Sequence, residues 1–124
     1  MAEMATYIGI APRTAIADPA NANIPRGSRV NLQANGYIAL QDATAIGDFI
    51  TITDVIQGKP GEVASLWGGG KCAVIAAVAV AAGDPAYTAA NGQATNVATG
   101  ATLFGKFTQP ASGAGVLTEV ELKN

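Results

Sequence analysis

The sequence predicts an all-β domain with little helix: a compact barrel or sandwich of two duplicated hairpin-based units behind an extended N-terminal arm. Three observations point there. Short alternating apolar runs are separated by turn signals at roughly 8 to 12 residue spacing. Asn-Gly occurs twice, at Asn35-Gly36 and Asn91-Gly92, 56 residues apart. Of 124 residues, 26 are Ala and 15 are Gly, whereas aromatics make up only 6%. Small side chains bury little area each, at about 25 cal/mol per Å², so a thin layered core or added subunit contacts would suit such a chain.

The first 23 residues stand apart from the rest. Thr6-Tyr7-Ile8-Gly9-Ile10-Ala11 reads as one short strand. Pro12, Pro19, Pro25 and the polar stretch Asp18 to Asn23 break anything longer, so residues 1–23 are expected to form an arm. From Ile24 onward the signals become regular. Val30, Leu32 and Ala34 alternate with Asn31 and Gln33, Asn35-Gly36 offers two left-handed residues for a tight turn, and Tyr37 to Leu40 runs back. Phe49 to Val55 is β-branched and strand-like, Gly58-Lys59-Pro60-Gly61 is a turn, and Glu62 to Trp67 is a further short strand before the loop Gly68-Gly69-Gly70. The run Cys72 to Ala82 is ambiguous: alanine favours helix, while the valines, flanking glycines and short length favour a buried strand. A second place for a helix is Asp42 to Ile46, where Asp42 would serve as N-cap.

Internal repetition is the strongest signal. Gly27 and Gly83 share the offset of 56 with the two Asn-Gly pairs. Ile46-Gly47-Asp48-Phe49 matches Phe104-Gly105-Lys106-Phe107 at an offset of 58, and Glu62-Val63 matches Glu119-Val120 at 57. One domain over residues 24–124 is therefore expected, with repeats at 24–67 and 80–122.

Charge and reactive residues exclude several functions. Seven basic against nine acidic residues give a net charge of −2, without the basic excess that holds a polyphosphate backbone, so no nucleic acid is expected as partner. The chain has no His, which removes the commonest general base and metal ligand. Cys72 is alone and reads as a buried, inert thiol. The triple glycine lacks the Gly-Lys-Ser/Thr ending of a phosphate loop. Glu119 and Glu121 project from one face of a probable strand, where an acidic edge against aggregation explains them better than a cation site. No catalytic residue, metal site or cofactor is expected. Met1-Ala-Glu-Met-Ala lacks a basic signal-peptide start, and the longest apolar run is too short to span a bilayer, so the chain is expected to be soluble, made in a cytoplasm and without a membrane partner.

The pattern Val80-Ala-Ala-Gly83-Asp84-Pro85-Ala86-Tyr87, Asn91-Gly92, Leu103-Phe104-Gly105-Lys106 and Val116-Leu-Thr-Glu-Val-Glu-Leu122 resembles the small capsid decoration, or cement, proteins of tailed bacteriophages. Pro25-Arg-Gly27-Ser-Arg-Val30, Asn35-Gly36 and Ile46-Gly47 repeat it in degenerate form, so the resemblance covers roughly residues 24 to 122. It implies a non-enzymatic virion protein on the capsid exterior, usually a homotrimer, that staples neighbouring major capsid protein subunits. An N-terminal arm reaching onto the capsid is common in that family, and residues 1–23 occupy its place.

On that reading Tyr7, Ile8 and Ile10 give the arm an apolar grip, and Arg13, Arg26 and Arg29 pair with capsid carboxylates. The plainer alternatives are a strand of the domain's own core for the first three and solvated surface charge for the arginines. Trp67 is the one large anchor; it suits a binding hot spot, but core filling is the stronger expectation in a chain with seven aromatics. The competing function is a small β-sandwich module that binds carbohydrate or peptide on a virion or cell surface. The scarcity of aromatic platforms counts against it.

Overall fold

The computed structural model describes residues 12–20, 22–67 and 69–123. Strands β1 (Pro12–Ile16), β2 (Arg29–Leu32), β3 (Ile38–Leu40), β4 (Phe49–Thr51) and β5 (Pro60–Ser65) form an antiparallel sheet in the order β1-β5-β4-β2-β3. Strands β6 (Lys71–Ile75), β7 (Pro85–Thr88), β8 (Ala94–Thr95), β9 (Leu103–Phe107) and β10 (Leu117–Leu122) form a second, in the order β6-β10-β9-β7-β8. The regular elements are nearly all strands, as expected, and the chain traces one path twice.

Each sheet curls until its two outer strands meet. Ala17, just past β1, bridges Ile38 of β3 in parallel, and Ala76, just past β6, bridges Ala94 of β8 in the same way. Asp18 N–H donates to Ile38 O at 3.1 Å and Ala77 N–H to Ala94 O at 2.7 Å. These contacts satisfy edge groups that would otherwise template aggregation. The buried residues follow the same plan. Ala17, Ile24, Val30, Ile38, Val55 and Val63 form the interior of the first unit. Ala76, Val80, Ala86, Ala94, Ala111 and Val120 hold the corresponding places in a larger cluster that also takes in Ile50, Ile52, Ala64 and Leu66 from the first sheet. Two isoleucines and two valines are traded for valine or alanine, so the second interior depends on Phe104 and Phe107 for bulk.

Several expectations need correction. Pro12–Ile16 pairs with Pro60–Ala64, so these residues belong to the sheet rather than to an arm; Pro12 opens the strand, where a missing N–H costs least. Residues 1–11 lie outside the described residues. The run Cys72 to Ala82 is a strand only as far as Ile75. No helix forms at Asp42 to Ile46; Asp42 Oδ1 instead accepts the Thr44 N–H at 2.9 Å in a side-chain turn. At the first Asn-Gly pair only Gly36 has positive φ, because Gly36 N–H closes a turn on Gln33 O and Gln33 pairs with Tyr37 across three residues, one more than expected. At the second, both Asn91 (φ 58) and Gly92 (φ 70) are left-handed.

The ladders also revise the register of the repeat. Val30 pairs with Phe49 and Ala86 with Gly105, so Phe49 corresponds to Gly105 and the offset at β4 is 56, not 58. Val63 pairs with Thr51 and Val120 with Phe107, which gives 57 at β5, matching the Glu-Val pairs. A two-residue slip leaves every side chain on its original face, which is why letter matching at 58 looked consistent.

Candidate interaction surface

Arg29 opens β2, and its side chain turns away from the first unit's interior onto the face shared by Ile50 and Ala64. It is 0% exposed. Its guanidinium donates to five backbone carbonyls: Asp42 (3.1 Å), Ala45 (2.7 Å) and Ile46 (2.8 Å) in the first unit, and Ala89 (2.6 Å) and Gln93 (3.0 Å) in the second. The Phe104 ring lies beneath it, 5.7 Å from Cζ. Burial pulls its pKa down to about 10, with the Asp42 charge pushing back, so it remains a cation at neutral pH. The expectation that Arg29 is a solvated charge or a capsid contact is therefore overturned. It is a latch between the two units.

The latch is one part of a wider arrangement. Every carbonyl from Asp42 to Gly47 accepts a side-chain hydrogen bond: Asp42, Ala45 and Ile46 from Arg29, Ala43 from Thr88, Thr44 from Thr102 and Gly47 from Trp67. Two of those donors, Thr88 and Thr102, belong to the second unit. An irregular loop is thus held almost as firmly as a strand, since no carbonyl in it depends on water. Nothing in the spacing of Thr88 and Thr102 announces this role; the only local sign is the Asp42-x-Thr44 turn.

Trp67 follows from that loop. Its backbone N–H donates to Ser65 Oγ at 3.1 Å, Ser65 Oγ donates back to Trp67 O at 3.2 Å, and the indole Nε1–H donates to Gly47 O at 3.0 Å. The ring is nevertheless 61% exposed. Core filling is therefore not its role. It forms one wall of an open cleft of about 460 Å³ shared with Gln41, Thr44, Ile46, Asp48 and Thr102. An aromatic ring fixed in advance has little rotamer entropy left to lose on binding.

The remaining candidates fall elsewhere. Arg26 is half-buried; its backbone N–H donates to Asp54 Oδ1 at 2.8 Å, and its Nε is buried with no hydrogen-bond partner among the described residues. Arg13 sits on β1 opposite Val63. Tyr7, Ile8 and Ile10 lie outside the described residues. Burial pushes the Cys72 thiol up to about 12, with the Glu119 charge adding to the effect. Glu119 and Glu121 lie on β10, between β6 and β9, so they are not an edge; Thr108 Oγ1 donates to Glu119 Oε1 at 2.7 Å. Among the described residues no group of three or more His, Cys, Asp or Glu stands together as metal ligands, and no helix is long and apolar enough to cross a membrane.

The model of the phage cement protein family matches residues 24–123. The chain belongs to that family. It is accordingly a phage structural protein associated with the capsid, as its turn rhythm suggested, and the matched region omits β1, the strand that completes the first sheet. The fold is similar to the N base of head fiber gp8.5 of bacteriophage phi29, with a TM-score of 0.72 at 21% identity, covering 92% of this chain and 94% of that one. A search of curated proteins returns no match.

Proposed function

We propose that this cement protein decorates the outer surface of an assembled phage head, as a homotrimer, and stabilises the shell by bridging neighbouring major capsid protein subunits. Membership of the cement family over residues 24–123 carries the reading. Two physical features support it. The units are joined by a buried cation and a fully bonded loop, so the molecule can transmit strain rather than yield to it. Trp67 stands pinned and exposed, as an interface anchor needs to be. Trp67, Arg26 and the N-terminal Tyr7, Ile8, Ile10 and Arg13 are the proposed contacts, and many weak identical contacts on a lattice add through avidity. The protein acts without catalysis or cofactor. Heating heads with and without bound protein tests the reading: decorated heads should retain DNA at temperatures that empty bare ones, and equal release temperatures would contradict it.

A second reading rests on the cleft itself. Trp67 beside Thr44, Asp48 and Thr102 combines an apolar platform with polar side chains, the chemistry a single sugar ring would use. Saturable glycan binding by the free protein would favour it; affinity that appears only on an assembled lattice would favour the cement role.

A further inference from the structure

Comparing the two units position by position shows that one face has been rewritten. In the first sheet the outward row is Arg29, Ile50 and Ala64; in the second the same row is Pro85, Lys106 and Glu121. The correspondence extends one residue further. Leu66 N–H donates to Asp48 O at 3.2 Å and Lys123 N–H to Phe104 O at 3.0 Å, so Leu66 answers to Lys123. In the first unit all four side chains are buried, at 0 to 3% exposure, under the second unit. In the second unit all four are exposed. An apolar face with a cationic latch has become a face carrying Lys106, Glu121 and Lys123, with a proline where the latch would stand.

The contact within the chain is also one-way. The second unit offers its β7–β8 turn and Leu117 to the first unit's Arg29 and Gly27. The first unit's counterparts include Leu32, in place of Thr88, which is 51% exposed, and Gly36, in place of Gly92, which has open space around it. A contact of this head-to-tail kind, if repeated between copies, does not close on itself and grows into a filament.

We infer that the outer face of the second sheet is the closed end of a two-unit stack, where Pro85, Lys106, Glu121 and Lys123 prevent a second copy of this chain from docking as the second unit docks on the first. Charged residues there would lose their water against an apolar end, and without Arg29's equivalent the incoming turn carbonyls would go unbonded. This holds whether or not the capsid reading is right.

The test writes the first unit's face onto the second: Pro85→Arg, Lys106→Ile, Glu121→Ala and Lys123→Leu together, examined by sedimentation velocity over a range of concentrations. Circular dichroism establishes that the variant is folded. The expected result is a concentration-dependent ladder in which the average mass at least doubles relative to wild type, and return to the wild-type mass when Leu32→Lys is added at the opposite end. A folded variant that sediments like wild type would overturn the inference. So would a ladder that persists with Leu32→Lys, since that would mark indiscriminate apolar sticking.

Discussion

Arg29 Nη2 donates to the carbonyl of Ala89 at 2.6 Å, joining residues 60 apart in the chain and in different units. The contact is buried, so its cost and its benefit are both large. An arginine taken out of water must have nearly all its N–H groups bonded, and this one reaches five carbonyls. Replacing Arg29 with Leu is therefore expected to destabilise the fold by about 3–5 kcal/mol, because five carbonyls at the junction of the two units lose their donor, that of Ala89 in a fully buried contact. Arg29→Lys should be nearly as damaging, since a single ammonium cannot span the same fork. Urea denaturation measures both, and a loss below about 1 kcal/mol for Arg29→Leu would remove the latch from the account.

Gly92 is the surface against which that latch closes. A Cβ there would stand 2.5 Å from Arg29 O, at a φ of +70. Gly36, its counterpart, has φ +86 but no atom within 4 Å of the same position. Gly36→Ala should cost about 1 kcal/mol, the backbone penalty alone. Gly92→Ala adds the clash and should cost at least about 2 kcal/mol more. Equal losses in thermal denaturation would show that the units are not in tight contact at this point.

How far these features can be read from the sequence depends on their range. The alternation at Val30 to Ala34 and the twin Asn-Gly turns report local backbone preference, and the sheet class and turn positions follow from them. Burial of Arg29 does not, because it is decided by the carbonyls of Ala89 and Gln93 on a distant turn. Trp67 fails for the opposite reason. Its size argues for the core, but Ser65 and Gly47 hold the backbone and the indole at the rim of the cleft. Pro12 argues for a strand break, yet at the first position of β1 it breaks nothing.

The Asp42 and Asp84 carboxyls both titrate below the usual carboxylate value. For Asp42 the Thr44 hydroxyl and N–H are the main cause; for Asp84 the Ala81 N–H and then the Asn96 amide are. A carboxyl whose pKa is depressed on folding stabilises the protein above its unfolded pKa, about 3.9, and that contribution disappears as pH falls through the folded value. Melting temperature should accordingly be flat from pH 7 to about 5 and decline as the pH drops below about 4. Asp42→Asn with Asp84→Asn should shallow that fall, and an unchanged slope would assign the acid sensitivity elsewhere.

Cys72 should be silent in the native state. A thiol raised to about 12 and fully buried holds almost no thiolate at neutral pH. Reaction with an aromatic disulfide reagent is expected only at the rate at which the protein opens, accelerating sharply across the urea transition. Rapid stoichiometric labelling of folded protein would place the thiol within reach of solvent.

Trp67 gives the proposed interface its own reporter, because it is the chain's single tryptophan. Its fluorescence should be red-shifted and readily quenched by iodide in the free protein. Trp67→Ala should change stability by only about 1 kcal/mol, the value of one partly exposed hydrogen bond, while weakening head binding at least tenfold. Unaltered affinity would take Trp67 out of the contact.

The most direct measurement is cosedimentation of the purified protein with expanded heads of its source phage that lack it, beside unexpanded heads as control. Saturable binding to the expanded heads, with protection of the Trp67 indole from iodide in the pelleted complex, is the predicted result. Protein that stays in the supernatant with both kinds of head would contradict the cement role.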